Sequence, residues 1–270
     1  MTTRDTGTDA NPNEALWRGL LEGTDPRYAR NRAWLKHVPG SPRCKMCAAP
    51  FGQPGSLLMH FVGRDRWSKN PEYCGACFRV LEAFHGGAEL DASFLFADVR
   101  GSTAMAEAIS PTEFRRQLQR FYQVASRILV AHDGIVDKFV GDEVVGIFIP
   151  ALTRAEHAAQ AIAAARSLMV ATGHGDLDGP WIPIGIGVGS GIAFVGSVGE
   201  PPVTALTALG DIVNTTARLA SAAATGEILV MASTTTAGAL DPTDHEQREL
   251  QLKGKAGTTV VSVLRTTLRS

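Results

Sequence analysis

The sequence contains no apolar run approaching the roughly 20 residues that a membrane-spanning helix needs, so no such helix is predicted. The first residues are polar and lack the charged and then apolar layout of a secretory signal peptide. An excess of charge of one sign is also missing, because the net charge is -1, and this argues against a nucleic-acid-binding protein. We therefore expect a cytoplasmic globular protein that binds neither membranes nor nucleic acids, and whose thiols are kept reduced.

Several common binding motifs are absent as well. The glycine-rich segment 185–191 contains no GxGxxG pattern and the chain has no GxxxxGK[ST] sequence, so neither a dinucleotide-binding fold nor a P-loop is predicted. The seven histidines show no HxxxH spacing. Hairpin glycines are the better explanation of segment 185–191.

Composition divides the chain into three parts. Residues 1–12 are polar and are predicted to form a disordered tail. Residues 13–87 combine an amphipathic helix predicted over Glu14–Glu22 with a block rich in Pro, Gly and Cys that ends at a Gly86-Gly87 joint. Over residues 92–266 strands and helices alternate, which predicts a separate α+β domain.

The order of elements in the third part predicts a ferredoxin-like βαββαβ sheet. Ser110-Pro-Thr-Glu113 has the pattern of a capping box with Pro at the first helical position, and it predicts a helix to about Ala131. The segments expected around that helix are a strand at 93–97, a hairpin at 136–148, a helix at 154–170, a second hairpin at 182–198 turning at 189–191, a helix at 211–222, a strand at 227–231 and a strand pair within 251–264.

All four cysteines of the chain lie in two CxxC pairs that are separated by 26 residues: Cys44, Cys47, Cys74 and Cys77. Four thiolates complete the tetrahedral shell that structural zinc prefers, and we predict a zinc-ribbon-like module on this spacing. An iron–sulfur cluster is the main alternative, and a redox CxxC or buried free thiols are the others. A module of this size builds little core, so the metal would supply its folding energy.

Two aspartates stand at the ends of predicted strands. Asp98 ends the first strand, and Asp142 lies at the tip of the first hairpin, so the two carboxylates meet at one sheet edge if the strands are neighbours. Two carboxylates at such a short distance repel each other unless a cation lies between them. Mg²⁺ with substrate phosphates would suit this arrangement. Gly101, Ser102 and Thr103 open the next helix, whose amides can receive phosphate oxygens.

Three further polar groups fit a phosphorylated ligand. Lys138 interrupts an apolar strand of the first hairpin, where a desolvated charge needs a partner. Asn214 and Arg218 are four residues apart on one helix, and an amide beside an arginine fork can hold a phosphate and a ribose oxygen. Each of these residues alone is better explained as a surface or capping residue, and only the set suggests a site.

Together these motifs resemble the catalytic domain of class III nucleotide cyclases, the family of adenylate and guanylate cyclases. The resemblance covers about two thirds of the chain, in the order and spacing of the family. The motifs that carry it are FADVRGST at 96–103, DKFVGDEVVGIF at 137–148, GIGVGSG at 185–191, ALGDIVNTTARL at 208–219 and LKGK at 252–255.

The resemblance implies a role for each matching residue. Asp98 and Asp142, with the carbonyl group of Val99, would bind two Mg²⁺ or Mn²⁺ ions. Asn214 and Arg218 match the pair that stabilises the transition state. A lysine that reaches the terminal phosphates is matched by Lys253.

Lys138 and Thr207 fall on the two positions that read the base. Family members that use ATP have Lys at the first position, whereas guanylate cyclases have Glu there. Adenine offers an acceptor at N1 and a donor at N6, which suit an ammonium and a hydroxyl group, so ATP is favoured over GTP. Thr at position 207 also matches a subgroup that bicarbonate often stimulates.

The implied reaction is the attack of the ribose 3′-oxygen on the α-phosphorus of ATP, which yields 3′,5′-cyclic AMP and pyrophosphate. In this family the site lies between two catalytic domains, and one chain here carries both residue sets, so a homodimer is expected. Three alternatives remain: a guanylate cyclase, a non-catalytic nucleotide sensor on the same fold, and a zinc-ribbon nucleic-acid binder. The near-neutral charge argues against the last.

Overall fold

A computed structural model describes residues 13–68, 70–77, 86–200, 203–255 and 257–266. The predicted disordered tail lies outside these residues. In the described part of the chain, no helix is long and apolar enough to span a bilayer.

The helices follow the sequence patterns closely. The hydroxyl group of Ser110 accepts a hydrogen bond from the amide of Glu113, so the predicted cap begins its helix as expected. The described α-helices are Glu14–Glu22 (α1), Pro26–Leu35 (α2), Gly55–Phe61 (α3), Ser102–Ala108 (α4), Pro111–Ala131 (α5), Pro150–Thr153 (α6), His157–Ala171 (α7), Asp211–Ala222 (α8) and Ala232–Ala237 (α9). Short 3-10 helices are Arg154–Glu156 and Pro242–Asp244.

One sheet unites the strands of the described chain. Its strands are Gly86–Val99 (β1), Ile135–Val140 (β2), Glu143–Phe148 (β3), Ile184–Glu200 (β4), Val203–Leu209 (β5), Glu227–Met231 (β6), Glu246–Gln251 (β7) and Thr258–Arg265 (β8). Their order in the sheet is β2-β3-β1-β4-β6-β8-β7, and β5 pairs with the C-terminal end of β4. The four strands of the βαββαβ unit are adjacent in the order β2-β3-β1-β4, so the ferredoxin-like prediction is confirmed.

The central strand β1 is buried on both faces. Because side chains alternate along a strand, Leu95 and Ala97 face α5 and α7, whereas Phe94 and Phe96 belong to the cluster on the opposite face. That second cluster also contains Trp17 of α1, so the N-terminal segment and the sheet share one hydrophobic core.

The second predicted hairpin is wrong, because segment 182–198 does not turn at 189–191. Residues 184–200 form one continuous strand, and β5 is its hairpin partner. The glycines instead let α8 approach the strand: a Cβ on Gly187 would lie 2.4 Å from the carbonyl oxygen of Thr216, and one on Gly189 would lie 2.1 Å from the Thr216 hydroxyl oxygen. Close helix packing, rather than a turn, requires glycine at these positions.

Two other boundaries also differ from the predictions. Gly86 and Gly87 lie inside β1 and pair with Ser197 and Gly196, so they do not form a joint between parts. The last strand pair begins at Glu246, which leaves the LKGK motif in the connection between β7 and β8. The division of the chain near residues 87–92 stays a prediction.

Candidate active site and four-cysteine cluster

Acidic residues at the ends of two neighbouring strands lie side by side, at what we call the acidic edge of the sheet. Asp98 of β1 pairs across the ladder with Glu143 of β3, and the amide of Val99 donates a hydrogen bond to the carbonyl oxygen of Asp142 (3.3 Å). The structure therefore brings together the two aspartates that were expected to meet. Glu143, which was not identified from the sequence, is a third carboxylate at this edge; its position directly after Asp142 was the available signal.

These carboxyl groups oppose one another's ionisation. Burial raises the pKa of Asp98; the Arg100 guanidinium opposes this effect, and the Asp142 carboxylate reinforces it. Burial, followed by the charges of Asp98 and Asp142, raises the pKa of Glu143 to about 7. A cluster of oxygen donors with surplus negative charge fits a hard divalent cation such as Mg²⁺ or Mn²⁺.

Arg100 links this acidic edge to α8. Its guanidinium pairs with Asp98 and donates hydrogen bonds to the carbonyl oxygens of Ser221 (2.9 Å) and Ala223 (3.4 Å). Sequence reasoning did not identify Arg100, although its place two residues after Asp98 was a usable signal. The contact fixes the C-terminal end of α8 beside the carboxylates.

The two residues predicted to read the base are in direct contact. The Lys138 ammonium donates a hydrogen bond to the Thr207 hydroxyl oxygen (2.8 Å), and that hydroxyl donates to the Asp137 carboxylate (2.9 Å). Lys138 also lies 3.2 Å from the same Asp137 oxygen. Asp137, whose side chain is 5% exposed, was missed by sequence reasoning, although a carboxylate beside a lysine in an apolar strand was the available signal. Lys138 thus contacts Asp137 and Thr207 rather than the carboxylate of Asp142.

The predicted transition-state pair lies on α8, one turn apart. Asn214 is exposed and Arg218 is half-buried. A Cβ on Gly254 would lie 3.5 Å from a guanidinium nitrogen of Arg218, so the LKGK loop, in which Lys253 is exposed, lies against this arginine. An ion pair between Lys255 and Asp211 ties the same loop to the start of the helix.

The predicted phosphate-binding turn follows the acidic edge directly. Gly101 has a left-handed conformation (φ 69°) and is the N-cap of α4, whose first residues are Ser102 and Thr103. Only glycine adopts this conformation without cost, which accounts for its place in the motif. The phosphate contacts of these three residues, like the roles of the other site residues, stay predictions.

The four cysteines converge at a second site. Their sulfur atoms all lie within 4.8 Å of one another and all four residues are buried. Neighbouring sulfurs lie 3.5 Å apart for Cys47 and Cys74 and 3.4 Å apart for Cys74 and Cys77. A tetrahedral zinc site has sulfurs ~3.8 Å apart, since its Zn–S bonds are about 2.3 Å long. The cluster therefore has the dimensions and donor chemistry of a tetrathiolate metal site.

Positive charge accompanies these thiols. The Arg64 guanidinium lies 3.4 Å from the sulfur of Cys47 and 4.0 Å from that of Cys74. The amide of Cys74 donates a hydrogen bond to the Cys44 sulfur (3.3 Å), and hydrogen bonds from the other three thiols lower the pKa of Cys44. These contacts favour the thiolate form of Cys44, whereas the hydrogen bonds to Cys44 and burial raise the pKa values of Cys74 and Cys77. The thiolate is the form that binds metal.

Comparison with known proteins places the sheet in a family. The family model "Adenylate and Guanylate cyclase catalytic domain" matches residues 88–265. An adenylate cyclase of Anabaena cylindrica is 33% identical over 135 residues, which are 47% of this chain and 26% of that protein. An uncharacterized protein of Mycobacterium tuberculosis is 31% identical over 162 residues, which are 59% of this chain and 29% of that protein. The chain thus spans less than a third of the length of these relatives.

Solved structures agree with the family match. The crystal structure of the guanylyl cyclase Cya2 superposes with a TM-score of 0.60 at 26% identity, covering 66% of this chain and 93% of that one. The match to the family model extends over the whole sheet, from β1 to β8. This chain belongs to the family of class III adenylate and guanylate cyclase catalytic domains.

Proposed function

We propose that the protein is an adenylate cyclase that converts ATP to 3′,5′-cyclic AMP and pyrophosphate at sites shared by two copies of the chain. The observation that carries the choice of ATP is the contact among Lys138, Thr207 and Asp137. The ammonium is only a donor, and an ionised carboxylate is only an acceptor. The Thr207 hydrogen is therefore directed to Asp137, and a lone pair of its oxygen remains available.

This polarity matches adenine. Lys138 can donate to the acceptor N1, and the remaining Thr207 lone pair can accept from the N6 amino group. Guanine presents N1–H to the ammonium and a carbonyl oxygen in place of N6, so both contacts would be mismatched. The similarity to a curated adenylate cyclase supports the same choice.

The remaining residues suit cyclisation of the triphosphate. Asp98 and Asp142, with the Val99 carbonyl, would hold two divalent cations, which supply charge neutralisation and acidify the ribose 3′-hydroxyl when bound. Arg218 and Asn214 would stabilise the charge that develops on the α-phosphate. Lys253 and the amides of Gly101, Ser102 and Thr103 would position the other phosphates.

A homodimer follows from this assignment. The paired strands β4 and β5 form a hairpin, here called the β4–β5 arm. A surface for a second copy is offered by exposed apolar side chains on β2, β4 and β5: Phe139, Val140, Ile192 and Leu209. One copy would then supply the metal aspartates and the other the base-reading and transition-state residues. Thr207 also makes bicarbonate stimulation a proposal to test.

We further propose that the four cysteines bind structural zinc. The buried tetrathiolate geometry supports zinc, and an iron–sulfur cluster is the alternative for the same ligands. The four cysteines are free of disulfides, which fits a reducing cytoplasm.

The decisive experiment is an assay of purified protein with ATP and Mn²⁺ beside Asp142→Ala. Cyclic AMP from the wild type alone is expected; formation by both proteins, or by neither, would refute the proposed mechanism.

A guanylate cyclase is the alternative, and the likeness to Cya2, a guanylyl cyclase, is the observation that supports it. Measuring the formation of cyclic GMP from GTP in parallel distinguishes the two substrates. The variant Asp137→Asn tests whether Asp137 directs the hydrogen of the Thr207 hydroxyl group. A non-catalytic sensor would bind nucleotide without forming either product.

A further inference from the structure

The segment that carries the four cysteines, residues 40–68 and 70–77, is called the four-cysteine module below. It contacts the catalytic sheet at the turn from which β2 begins. The Lys45 ammonium lies 2.7 Å from a carboxylate oxygen of Asp133, and the Tyr73 hydroxyl donates to the same oxygen (3.0 Å). The side-chain amide of Asn70 donates to the carbonyl oxygen of Gly134 (2.8 Å). Three side chains of the module thus converge on two consecutive residues of the catalytic domain.

These three side chains depend on the cysteine cluster for their position. Lys45 lies inside the first CxxC pair, and Tyr73 directly precedes Cys74. The amide of Lys45 donates to the carbonyl oxygen of Glu72 (3.1 Å), which joins the two cysteine turns. The amide of Glu72 in turn donates to the side-chain oxygen of Asn70 (3.0 Å). A change in either cysteine turn would therefore be transmitted to all three contacts.

Two of the three side chains are buried, whereas Lys45 is 42% exposed, and the contact holds an unusual backbone conformation. Asn70 is fully buried and Tyr73 is 2% exposed. Asp133 has a left-handed conformation (φ 59°), which only a few non-glycine residues adopt and which surrounding contacts must stabilise. Buried hydrogen bonds of this kind define one arrangement, because an unpaired partner would be costly.

The turn leads directly to the base-reading residues. Lys138 follows Gly134 by four positions along β2. Ser68 and Pro71 of the module line the same cleft as Asp137 and Lys138, so the module also borders this strand from the side. Lys138 thus lies on a strand that pairs with β3 along one side and begins at the turn that the module contacts.

We propose that the four-cysteine module positions the base end of the nucleotide site, with Asn70, Tyr73 and Lys45 as positioning residues that act through the Asp133–Gly134 turn on Lys138. This inference rests on the proposed adenylate cyclase function. A module that is only a folding aid would change the amount of folded protein and would leave base selection unchanged. A positioning module changes the KM for ATP and the preference for ATP over GTP.

The test compares Tyr73→Phe and Asn70→Asp with the wild type in the full-length protein. Tyr73→Phe removes one hydroxyl group, and Asn70→Asp replaces an N–H donor with an acceptor facing the Gly134 carbonyl. We expect the KM for ATP to rise roughly threefold or more, as the loss of a buried hydrogen bond predicts, with a smaller change in kcat. The ATP-to-GTP preference should fall, and amide exchange over residues 135–138 should accelerate.

The matched control is His60→Ala, which breaks an exposed contact with Asp65 on the module surface, away from the turn. It should leave KM, base preference and amide exchange unchanged. If Tyr73→Phe retains all three wild-type values, the positioning role is wrong; should Asn70→Asp fail to fold, Tyr73→Phe alone decides. Failure of the proposed function is recognised separately, because the wild type would then form no cyclic nucleotide.

Discussion

The ammonium of Lys138 donates a hydrogen bond to the hydroxyl oxygen of Thr207, although the two residues are 69 positions apart and belong to β2 and β5. Their contact requires the β4–β5 arm to reach back to the first hairpin. The groups that we propose to read the base are thus arranged within a single chain before any nucleotide binds. Such preorganisation lowers the entropic cost of binding.

Replacing Lys138 tests base selection. Lys138→Glu removes the donor for adenine N1 and presents an acceptor to the N–H groups of guanine. We expect cyclic AMP formation to fall about tenfold or more, because a charge-assisted hydrogen bond is lost, and the GTP-to-ATP ratio to rise. The same charge reversal at exposed Lys36, remote from the site, should change neither value. An unchanged ratio in Lys138→Glu would remove this residue from base recognition.

Replacing Asp142 tests the acidic edge of the sheet. Mn²⁺ at about 100 times its dissociation constant should raise the stability of the wild type by about 2.7 kcal/mol, because it binds the folded state only. Asp142→Asn should lose most of this increase, as seen in thermal unfolding with and without Mn²⁺. Asp65→Asn, on the surface of the cysteine module, serves as the control and should respond like the wild type. Equal responses of all three proteins would place the cation elsewhere.

Mixing two inactive variants tests the shared site. Asp142→Asn should damage the metal-binding half of a site, and Arg218→Ala the transition-state half, each lowering kcat about 100-fold or more. In a homodimer, a mixed pair contains one intact site, so equal mixing should restore roughly a quarter of wild-type activity. Mixing each variant with itself is the control. No recovery after confirmed subunit exchange would show that one chain builds the whole site.

Metal analysis tests the cysteine module. We expect one zinc ion per chain. Cys77→Ser should lower the zinc content, and it should also lower the free energy of unfolding by several kcal/mol, since metal binding contributes to folding. Ser68→Ala, within the module but not at a ligand, should retain the metal. If the freshly purified protein contains iron and absorbs visible light, the four cysteines hold an iron–sulfur cluster and not zinc.

The Glu227 cluster gives a prediction for pH. Hydrogen bonds from Arg248, together with those from the Ala224 amide and Arg265, lower the pKa of Glu227 from 4.5 to about 2. A lowered carboxyl pKa stabilises the folded state above about pH 4.5, and this contribution is lost as the pH falls toward 2. Glu227→Gln should therefore cost roughly 2 kcal/mol at pH 7 and progressively less below pH 4.5. Urea unfolding measures this difference; an equal cost at pH 7 and at pH 3 would contradict the assignment.

Sequence reasoning recovered the parts of the fold that depend on local patterns. The Ser110 cap, the first hairpin and the pairing of Asp98 with the neighbourhood of Asp142 were all readable from residue types and spacing. The single long strand β4 was not, because a glycine run is compatible both with a turn and with a close helix contact. Only the position of α8 distinguishes the two.

Residues that act through a distant partner were also missed. Asp137 has a role only because Thr207 lies beside it, and Arg100 only because α8 ends next to it. Neither contact can be inferred without the sheet order and the path of the β4–β5 arm. The contact of Tyr73 with Asp133 was missed for the same reason, since it joins two parts that composition had separated.

The glycines of β4 have one further consequence. Because a Cβ on Gly187 would lie 2.4 Å from the carbonyl oxygen of Thr216, no side chain of β4 separates α8 from the strand at this position. Substitutions elsewhere in the core are therefore expected to leave the height of Asn214 and Arg218, the proposed transition-state residues, unchanged. The height of the helix above the sheet is thus tied to the backbone of β4 at these glycines, and with it the position of the proposed transition-state residues.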